Sequence, residues 1–338
     1  MITLPSDVKN VLVAPLNWGL GHACRSIPLI QFLIQQDKKV FIASDGEALV
    51  LLKKEFPNQS FITLPAYNVR YSSTHLYRAL LSNGPRILSA IKRENKRVKD
   101  IIKENNIDYI ISDSRFGIYH PRVCSVLVSH QLQIIVKNKL LKLFLNKVNT
   151  YFFKNFNECW IPDYKERTLS GQLSLNSKVQ NKKFIGPQSS LILKKANIKY
   201  DLAIILSGPE PARTKLEKNL FEAIDLENLK IILVRGTTHT NNIDYTRAWE
   251  IIDLANRQMI NEILLSSRCV ISRSGYTSIM DYEKLKTKAI FIPTPGQVEQ
   301  EYLATRFINH ERYKVIEEHK LSRINSKIEK VLKSPDSL

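Results

Sequence analysis

The stretch Arg268 to Ala304, RCVISRSGYTSIMDYEKLKTKAIFIPTPGQVEQEYLA, decides how the rest of the chain is read. Cys269–Ser272 is a short apolar run, Arg273-Ser274-Gly275 interrupts it, Thr277–Leu285 has helical character, and Lys288–Pro293 is a second apolar run. This predicts a strand, a glycine turn, a helix and a strand, the unit from which parallel α/β sheets are built. In such a unit the glycine lets backbone N–H groups approach an anion, and the positive end of the helix that follows stabilises a phosphate. Asp281 lies four residues after Thr277, one turn along the same helical face, where a carboxylate accepts hydrogen bonds from ribose hydroxyls while a diphosphate lies over Gly275 and Tyr276. The second strand runs into the loop Pro293-Thr294-Pro295-Gly296, and Gln297 and Gln300 behind it carry amides suited to sugar hydroxyls. The plainer alternative is one βαβ unit of an ordinary α/β protein, with Asp281 and Gln300 as solvated surface residues.

Upstream, the same pattern repeats. Asp201–Leu206 reads as a strand, followed by Ser207-Gly208-Pro209-Glu210-Pro211 and a helix from Arg213. Leu229–Val234 ends in Arg235-Gly236-Thr237-Thr238, and Ile251–Leu254 ends in Ala255-Asn256. The strand ends at Ser207, Arg235, Ala255 and Ser274 are expected on one rim.

The order S-R-S-G, an acidic residue six positions after the glycine, a strand ending F-I-P-x-P, then G-Q-x-E-Q-x-Y-x-A resembles the donor-binding half of MurG-like glycosyltransferases of family 28 type. The similarity is specific over about the last third of the chain and weaker before it. It implies the α/β fold called GT-B: two Rossmann-like domains with parallel sheets facing a central cleft. It implies a UDP-sugar donor, N-acetylglucosamine or a related hexose, used with no metal and no cofactor. By this resemblance Gly275, Tyr276 and Thr277 hold the diphosphate through backbone amides, Asp281 takes the ribose, Gln300 faces the sugar, and the backbone at Ala255-Asn256 pairs with the uracil edge. Ser207, Gly208, Arg213, Arg235, Arg273, Ser274 and Gln297 complete the expected donor site. Where the bacterial wall enzyme has a pair of glutamines this chain has Gln300-Glu301, which leaves the sugar open.

In the first half, Asn10–Pro15 reads as a strand, Asn17-Trp18-Gly19-Leu20-Gly21-His22 as a turn, and Arg25–Gln36 as a helix. There is no third glycine at the dinucleotide spacing and no G-K-[ST], so nicotinamide and P-loop nucleotide readings lose ground. The remaining G-x-G-H resembles the acceptor-side loop of the same family. A histidine whose pKa lies near neutrality suits the removal of a proton from an attacking hydroxyl, which makes His22 the candidate base. A helix cap is its plainer reading. Strands are also read at Lys39–Ser44, Phe61–Leu64, Asp108–Asp113 and Ser125–Ser129, and a helical stretch over 76–105 is expected to break near Asn83-Gly84-Pro85. Asp113 and His130 close two of these strands and, with Asn17, Gly19 and Gly21, form the expected acceptor side. The domains are expected at 1–165 for the acceptor and 183–335 for the donor, with the polar stretch from Asp163 to Lys182 between them.

Composition limits the function classes. The 338 residues carry 50 Lys+Arg against 32 Asp+Glu, a net charge of +18, which favours an anionic partner such as lipid or nucleic acid. Aromatic residues do not interleave with the basic clusters in a stacking pattern, so nucleic acid is disfavoured. Leu132–Phe156 mixes apolar bulk with Lys137, Lys139, Lys142, Lys147 and Lys154 and has no acidic residue, the composition of a segment that lies on an anionic membrane. A helix packing its leucines and solvating its lysines is the alternative. Cys24, Cys124, Cys159 and Cys269 lack C-x-x-C spacing and read as reduced thiols. No apolar run reaches the roughly 18 residues of a spanning helix and no leader is evident, so the expectation is a cytoplasmic monomer, peripheral on the membrane. Its expected partners are a nucleotide-sugar donor and a glycan or lipid-linked acceptor. A UDP-sugar 2-epimerase of the same fold and a nucleic-acid-binding protein are the competing functions.

Overall fold

Asn10–Pro15 forms β1, and all its residues but the first are buried, the environment of a central strand in a parallel sheet covered on both faces. The computed structural model describes residues 2–67, 76–136, 138–208, 210–237 and 249–334. The chain divides into two units, 1–190 and 191–338.

The first unit holds β1, β2 (Lys39–Ser44), β3 (Ser60–Thr63), β4 (Tyr109–Asp113), β5 (Cys124–Val128), β6 (Glu158–Ile161) and β7 (Lys182–Phe184). They pair in parallel in the order β3-β2-β1-β4-β5-β6-β7. Alternate residues of these strands face two separate cores. Val11, Val13, Val40, Ile42 and Ile111 meet α1 (Gly21–Gln35) and α2 (Gly46–Glu55). Leu12, Ala14, Phe41, Ala43 and Ile110 meet Val98 and Ile101 of α3 (Leu76–Asn105). Each such valine, leucine, isoleucine or phenylalanine contributes about 1.5–3 kcal/mol on burial, which is what orients the helices. The break expected near Asn83-Gly84-Pro85 does not occur, and α3 passes through Pro85. The proline forfeits one backbone hydrogen bond, and Ala90, Ile91, Val98 and Ile101 anchor the helix in the core.

The second unit repeats the scheme with β8 (Tyr200–Ile205), α5 (Ala212–Ala223), β9 (Ile231–Val234), β10 (Glu250–Ile252), α6 (Arg257–Leu265), β11 (Ser267–Ser272), α7 (Tyr276–Leu285), β12 (Ala289–Phe291), α8 (Val298–Arg306), β13 (Tyr313–Val315) and α9 (Ile324–Lys333). Its strands pair in parallel in the order β10-β9-β8-β11-β12-β13. Ser207, Arg235, Ala255 and Ser274 follow four adjacent strands of this sheet and share its carboxyl rim, as expected.

The expected domain boundary shifts. Lys182–Phe184 does not open the second domain: it pairs with β6 as the last strand of the first sheet, and the units divide between Ser190 and Leu191. Three residues with a polar pair at their start give too weak a strand signal to be read from sequence.

In both sheets the strand order reverses between neighbours, at β1 and β4 in the first and at β8 and β11 in the second. The loops after such strands run to opposite sides and leave a crevice at the carboxyl edge, where ligands of doubly wound sheets bind. In the first unit Arg115, fully buried, ties these loops together. It donates to Glu94 Oε1 of α3 (2.6 Å) and to the Pro15 carbonyl (3.0 Å), and it pairs with Asp45 after β2. Asp45 in turn accepts from Asn17 Nδ2 at 3.1 Å. Gly117 is required here for space, because a Cβ on it would lie 2.3 Å from the Ile91 carbonyl oxygen and 2.6 Å from Glu94 Cβ.

Candidate active site

His22 does not end a turn, as expected from the sequence. α1 already begins at Gly21, which places His22 in its first turn. β1 and β4 are paired so that Pro15 stands opposite Asp113, and the loop after β1 carries His22 back over the end of β4. His22 Nδ1 lies 2.9 Å from Asp113 Oδ1. Asp113 is 2% exposed and faces the protein, a correction to its expected place as an exposed acceptor contact. Arg25, one turn beyond His22, donates through Nε to Asp113 Oδ2 at 2.6 Å and through Nη2 to Oδ1. The Nη2 group also reaches Ser114 Oγ at 3.2 Å and lies 2.9 Å from His22 Nδ1.

An arginine –NH₂ has two hydrogens, which here meet Asp113 and Ser114, so the hydrogen between His22 and Asp113 belongs to Nδ1. This leaves Nε2 of His22 as the atom with the lone pair. Burial and the Arg25 guanidinium lower the pKa of His22 against the opposing pull of Asp113. Burial pushes the Asp113 carboxyl up, but Arg25 and His22 together outweigh it and hold the group well below the usual carboxylate range. The pair is thus an ionised carboxylate orienting an uncharged imidazole that retains 19% of its side-chain surface. His130, after β5, places Nδ1 3.1 Å from Arg25 Nη1 and joins the same cluster.

Asn17 supports the loop: its amide meets Asp45, and its oxygen accepts from the Ala48 N–H at 3.3 Å. Gly19, exposed at φ +77°, makes the turn. Trp18 beside it packs edge-on to Tyr67 at 6.1 Å, and its buried indole N–H meets no hydrogen-bond partner among the described residues.

In the second unit α7 starts directly after β11 at the reversal point. Its N-cap Gly275 has extended backbone and no side chain with which to cap the helix, and the first turn contains no acidic residue. Its N-terminal amides are therefore suited to an anion. Gly275 lies outside the left-handed region, and a Cβ on it would meet nothing closer than Ser278 Oγ at 3.8 Å, so the protein itself does not require glycine there. Tyr276 is buried, whereas Thr277 and Asp281 are half-exposed along the helix. Ser207 and Gly208 are exposed after β8.

The three arginines expected in the donor site are braces. Arg213 and Arg235, 2% and 3% exposed, meet opposite oxygens of the buried Glu217 at 3.0 and 2.5 Å, and Arg235 also meets Asp253 at 2.7 Å. Arg273 donates to Glu318 at 2.7 Å and to the carbonyls of Ile292, Pro293 and Ala212. A buried carboxylate such as Glu217 needs cations around it, and that need places the guanidiniums beneath the rim. Ser274 is buried and donates to the Gln300 carbonyl, while the Gln300 side chain accepts from the Thr294 N–H at 2.9 Å. Glu301, the departure from the paired glutamines, accepts from the Gly296 N–H at 2.8 Å, so both side chains hold the loop before α8. Gln297 is the N-cap of α8, Asn256 caps α6 by accepting from Met259, and Ala255 lies half-buried beside it. The sequence reading overlooked Arg25, although an arginine three residues after a histidine on one helix carried the signal.

Residues 211–338 match the family model described as the glycosyltransferase family 28 C-terminal domain. No curated protein matches the chain. Among solved structures, the glycotransferase of kitacinnamycin is similar with a TM-score of 0.70 at 13% identity, covering 98% of this chain and 92% of that one. MurG of Acinetobacter baumannii gives 0.58 at 11% identity, covering 96% and 92%. A putative UDP-N-acetylglucosamine 2-epimerase from Listeria monocytogenes gives 0.61 at 11%, covering 97% and 92%. The chain thus has the GT-B fold, and its residues 211–338 resemble the family 28 C-terminal domain.

The His22 shift makes a prediction about stability. A histidine whose folded pKa is lowered contributes stability above its unfolded value, about 6.5, and loses it as pH falls through the folded value. The Tm of the parent is therefore expected to fall more between pH 7.5 and 5.5 than that of His22→Gln. Equal falls in thermal scans contradict the shift.

Proposed function

We propose that this chain is a glycosyltransferase that moves a hexose from a UDP-sugar, bound by the second unit, to a hydroxyl of an acceptor bound by the first, with inversion at C1. The observation that carries this reading is the N-terminus of α7, opened by a glycine and free of acidic residues, at the β8/β11 reversal, with Asp281 further along the same helix. Diphosphate oxygens lie against the amides from Gly275 to Thr277, and the Asp281 carboxylate accepts from the ribose. A ligand over Gly275 also supplies the reason for glycine that the protein's own packing does not. In the first unit His22 Nε2 takes the proton of the attacking hydroxyl as the oxygen–C1 bond forms and the bond from C1 to the diphosphate breaks. Asp113 stabilises the resulting imidazolium, as in other base–carboxylate pairs. The chain has no D-x-D motif, and its rim arginines are tied to carboxylates, so the leaving UDP is stabilised by the α7 amides. The Trp18 indole N–H supplies a further donor for an acceptor oxygen.

The acceptor is proposed to be presented at a membrane. Within Leu132–Phe156 the helix is shorter than the basic segment: α4 spans Lys139–Phe153, and Leu132 and Val136 enter the core. α4 buries Asn149, Thr150 and Phe153 but exposes Leu140 at 79%, Leu143 at 69%, Phe144 at 58% and Tyr151 at 67%. These positions recur at i, i+3, i+4 and i+11, one apolar stripe turned to solvent beside exposed Lys139, Lys147 and Lys154. Residues 1–190 contain 27 basic and 13 acidic residues, a charge of +14, while residues 191–338 contain 23 and 19, a charge of +4. The excess charge is thus concentrated on the unit that carries α4. No helix among the described residues is long and apolar enough to cross a membrane, and peripheral attachment is the mode that fits this stripe.

Two outcomes follow. With UDP-sugar and acceptor, His22→Ala is expected to release UDP at least about 100-fold more slowly than the parent while binding UDP equally well. Asp281→Ala is expected to weaken UDP binding with an unchanged Tm in the free protein. A His22→Ala enzyme at parental rate removes the base, and unchanged UDP affinity in Asp281→Ala removes the ribose contact. Release of UDP only when acceptor is present separates transfer from 2-epimerisation.

The protein is also expected to sediment with vesicles containing anionic phosphatidylserine and to come off at high salt, since charge attraction is screened within about 10 Å at 0.1 M. Replacing Lys139, Lys142, Lys147 and Lys154 with glutamine is expected to abolish sedimentation and leave UDP affinity intact. Persistent binding by that variant, or none by the parent, makes α4 an ordinary surface helix.

A further inference from the structure

Arg25 is 3% exposed and touches two imidazoles, yet the reaction proposed above assigns it no part. We propose that Arg25 is a positioning residue that fixes opposite tautomers on His22 and His130, giving the acceptor site one ring lone pair and one ring N–H at the corresponding Nε2 atoms. The inference rests on the reading of His22 as base and adds what prepares it.

Guanidinium offers five donors and no acceptor, so a ring nitrogen that meets one of its hydrogens accepts it; the two on Nη2 go to Asp113 and Ser114 and leave none for His22 Nδ1, whereas Nη1 faces His130. His130 Nδ1, 3.1 Å from Arg25 Nη1, therefore accepts, and the proton of that ring sits on Nε2. His22 is the reverse. Its Nδ1 donates to Asp113, whose two oxygens are held by the other arms of the same guanidinium. One planar fork thus fixes the carboxylate bidentately, orients one ring through that carboxylate and the other ring directly. A lysine ammonium, a point charge without fixed geometry, does not replace it. The chain supplies the parts from three places: Arg25 from α1, Asp113 from the end of β4, and His130 from the end of β5. The charged and titratable groups facing His22 are Asp113, which favours its proton, and Arg25 and His130, which oppose it. Burial first and Arg25 second disfavour the charged form of His22, leaving the form that accepts a proton from a hydroxylated acceptor.

The test requires no knowledge of the acceptor. Long-range ¹H–¹⁵N spectra of the histidine rings in the full-length protein at pH 7.5, assigned with His22→Gln and His130→Gln, report each tautomer. The expected result is a bare Nε2 on His22 and a bare Nδ1 on His130. In Arg25→Gln the His22 titration is expected to move to higher pH, because the opposing cation is gone. The same tautomer on both rings, or a His22 titration that Arg25→Gln leaves in place, overturns the proposal. Should Arg25→Gln fail to fold, the tautomers of the parent decide it. Loss of turnover in His22→Ala is a separate measurement, so the base and its positioning fail independently.

Discussion

Asp113 is an ionised carboxylate closed off from water at the end of a central strand, and much of the first unit's site follows from the need to surround it with donors. Removing one partner of a buried pair costs about 3–5 kcal/mol, because the remaining charge has no substitute for water. Arg25, His22 and Ser26 all lie on α1, and their shared contact with Asp113 sets the rotation of that helix over the β1/β4 reversal. The site is thus held by a long-range constraint between residues 22–26 and 113, one that the apolar core alone does not provide.

The second unit meets the same demand around Glu217, with two arginines on one carboxylate and a third arginine on Glu318. These pairs lie under the loops that close β8, β9 and β11, and they stiffen the rim without presenting cations to a ligand. On the proposed reading, anion recognition falls to backbone amides at the start of α7. Such amides are fixed by the helix and need no side chain to be ordered on binding. The first unit carries a charge of +14 and the second +4.

The strands were largely legible because apolar runs of four to six residues alternate with helical periods and glycine turns, and β1 and β2 fall where the sequence placed them. β7 was not, since three residues beginning Lys-Lys carry no apolar run. The break expected at Pro85 was overridden by tertiary packing of α3, a contest that local propensity cannot score. At the candidate site, the place of Gly275 between a strand and a helix was legible, whereas the start of α1 at Gly21 and the buried Asp113 that His22 meets were not. Arginines were misplaced because sequence shows a charge at a strand end but not the buried glutamate that claims it: Glu217 stands 18 residues from Arg235 and reads as an ordinary helix glutamate. The resemblance to family 28 pointed to the right fold, and the structure corrected the duties of individual side chains.

The central claim is that UDP is held by the amides at the start of α7. Titrating UDP into the ¹⁵N-labelled full-length protein and following backbone amide resonances tests it most directly. The account predicts saturable shifts that are largest from Gly275 to Ser278, with Asp281 following. Shifts that leave these residues unmoved and appear instead around Gly19 to His22 contradict it.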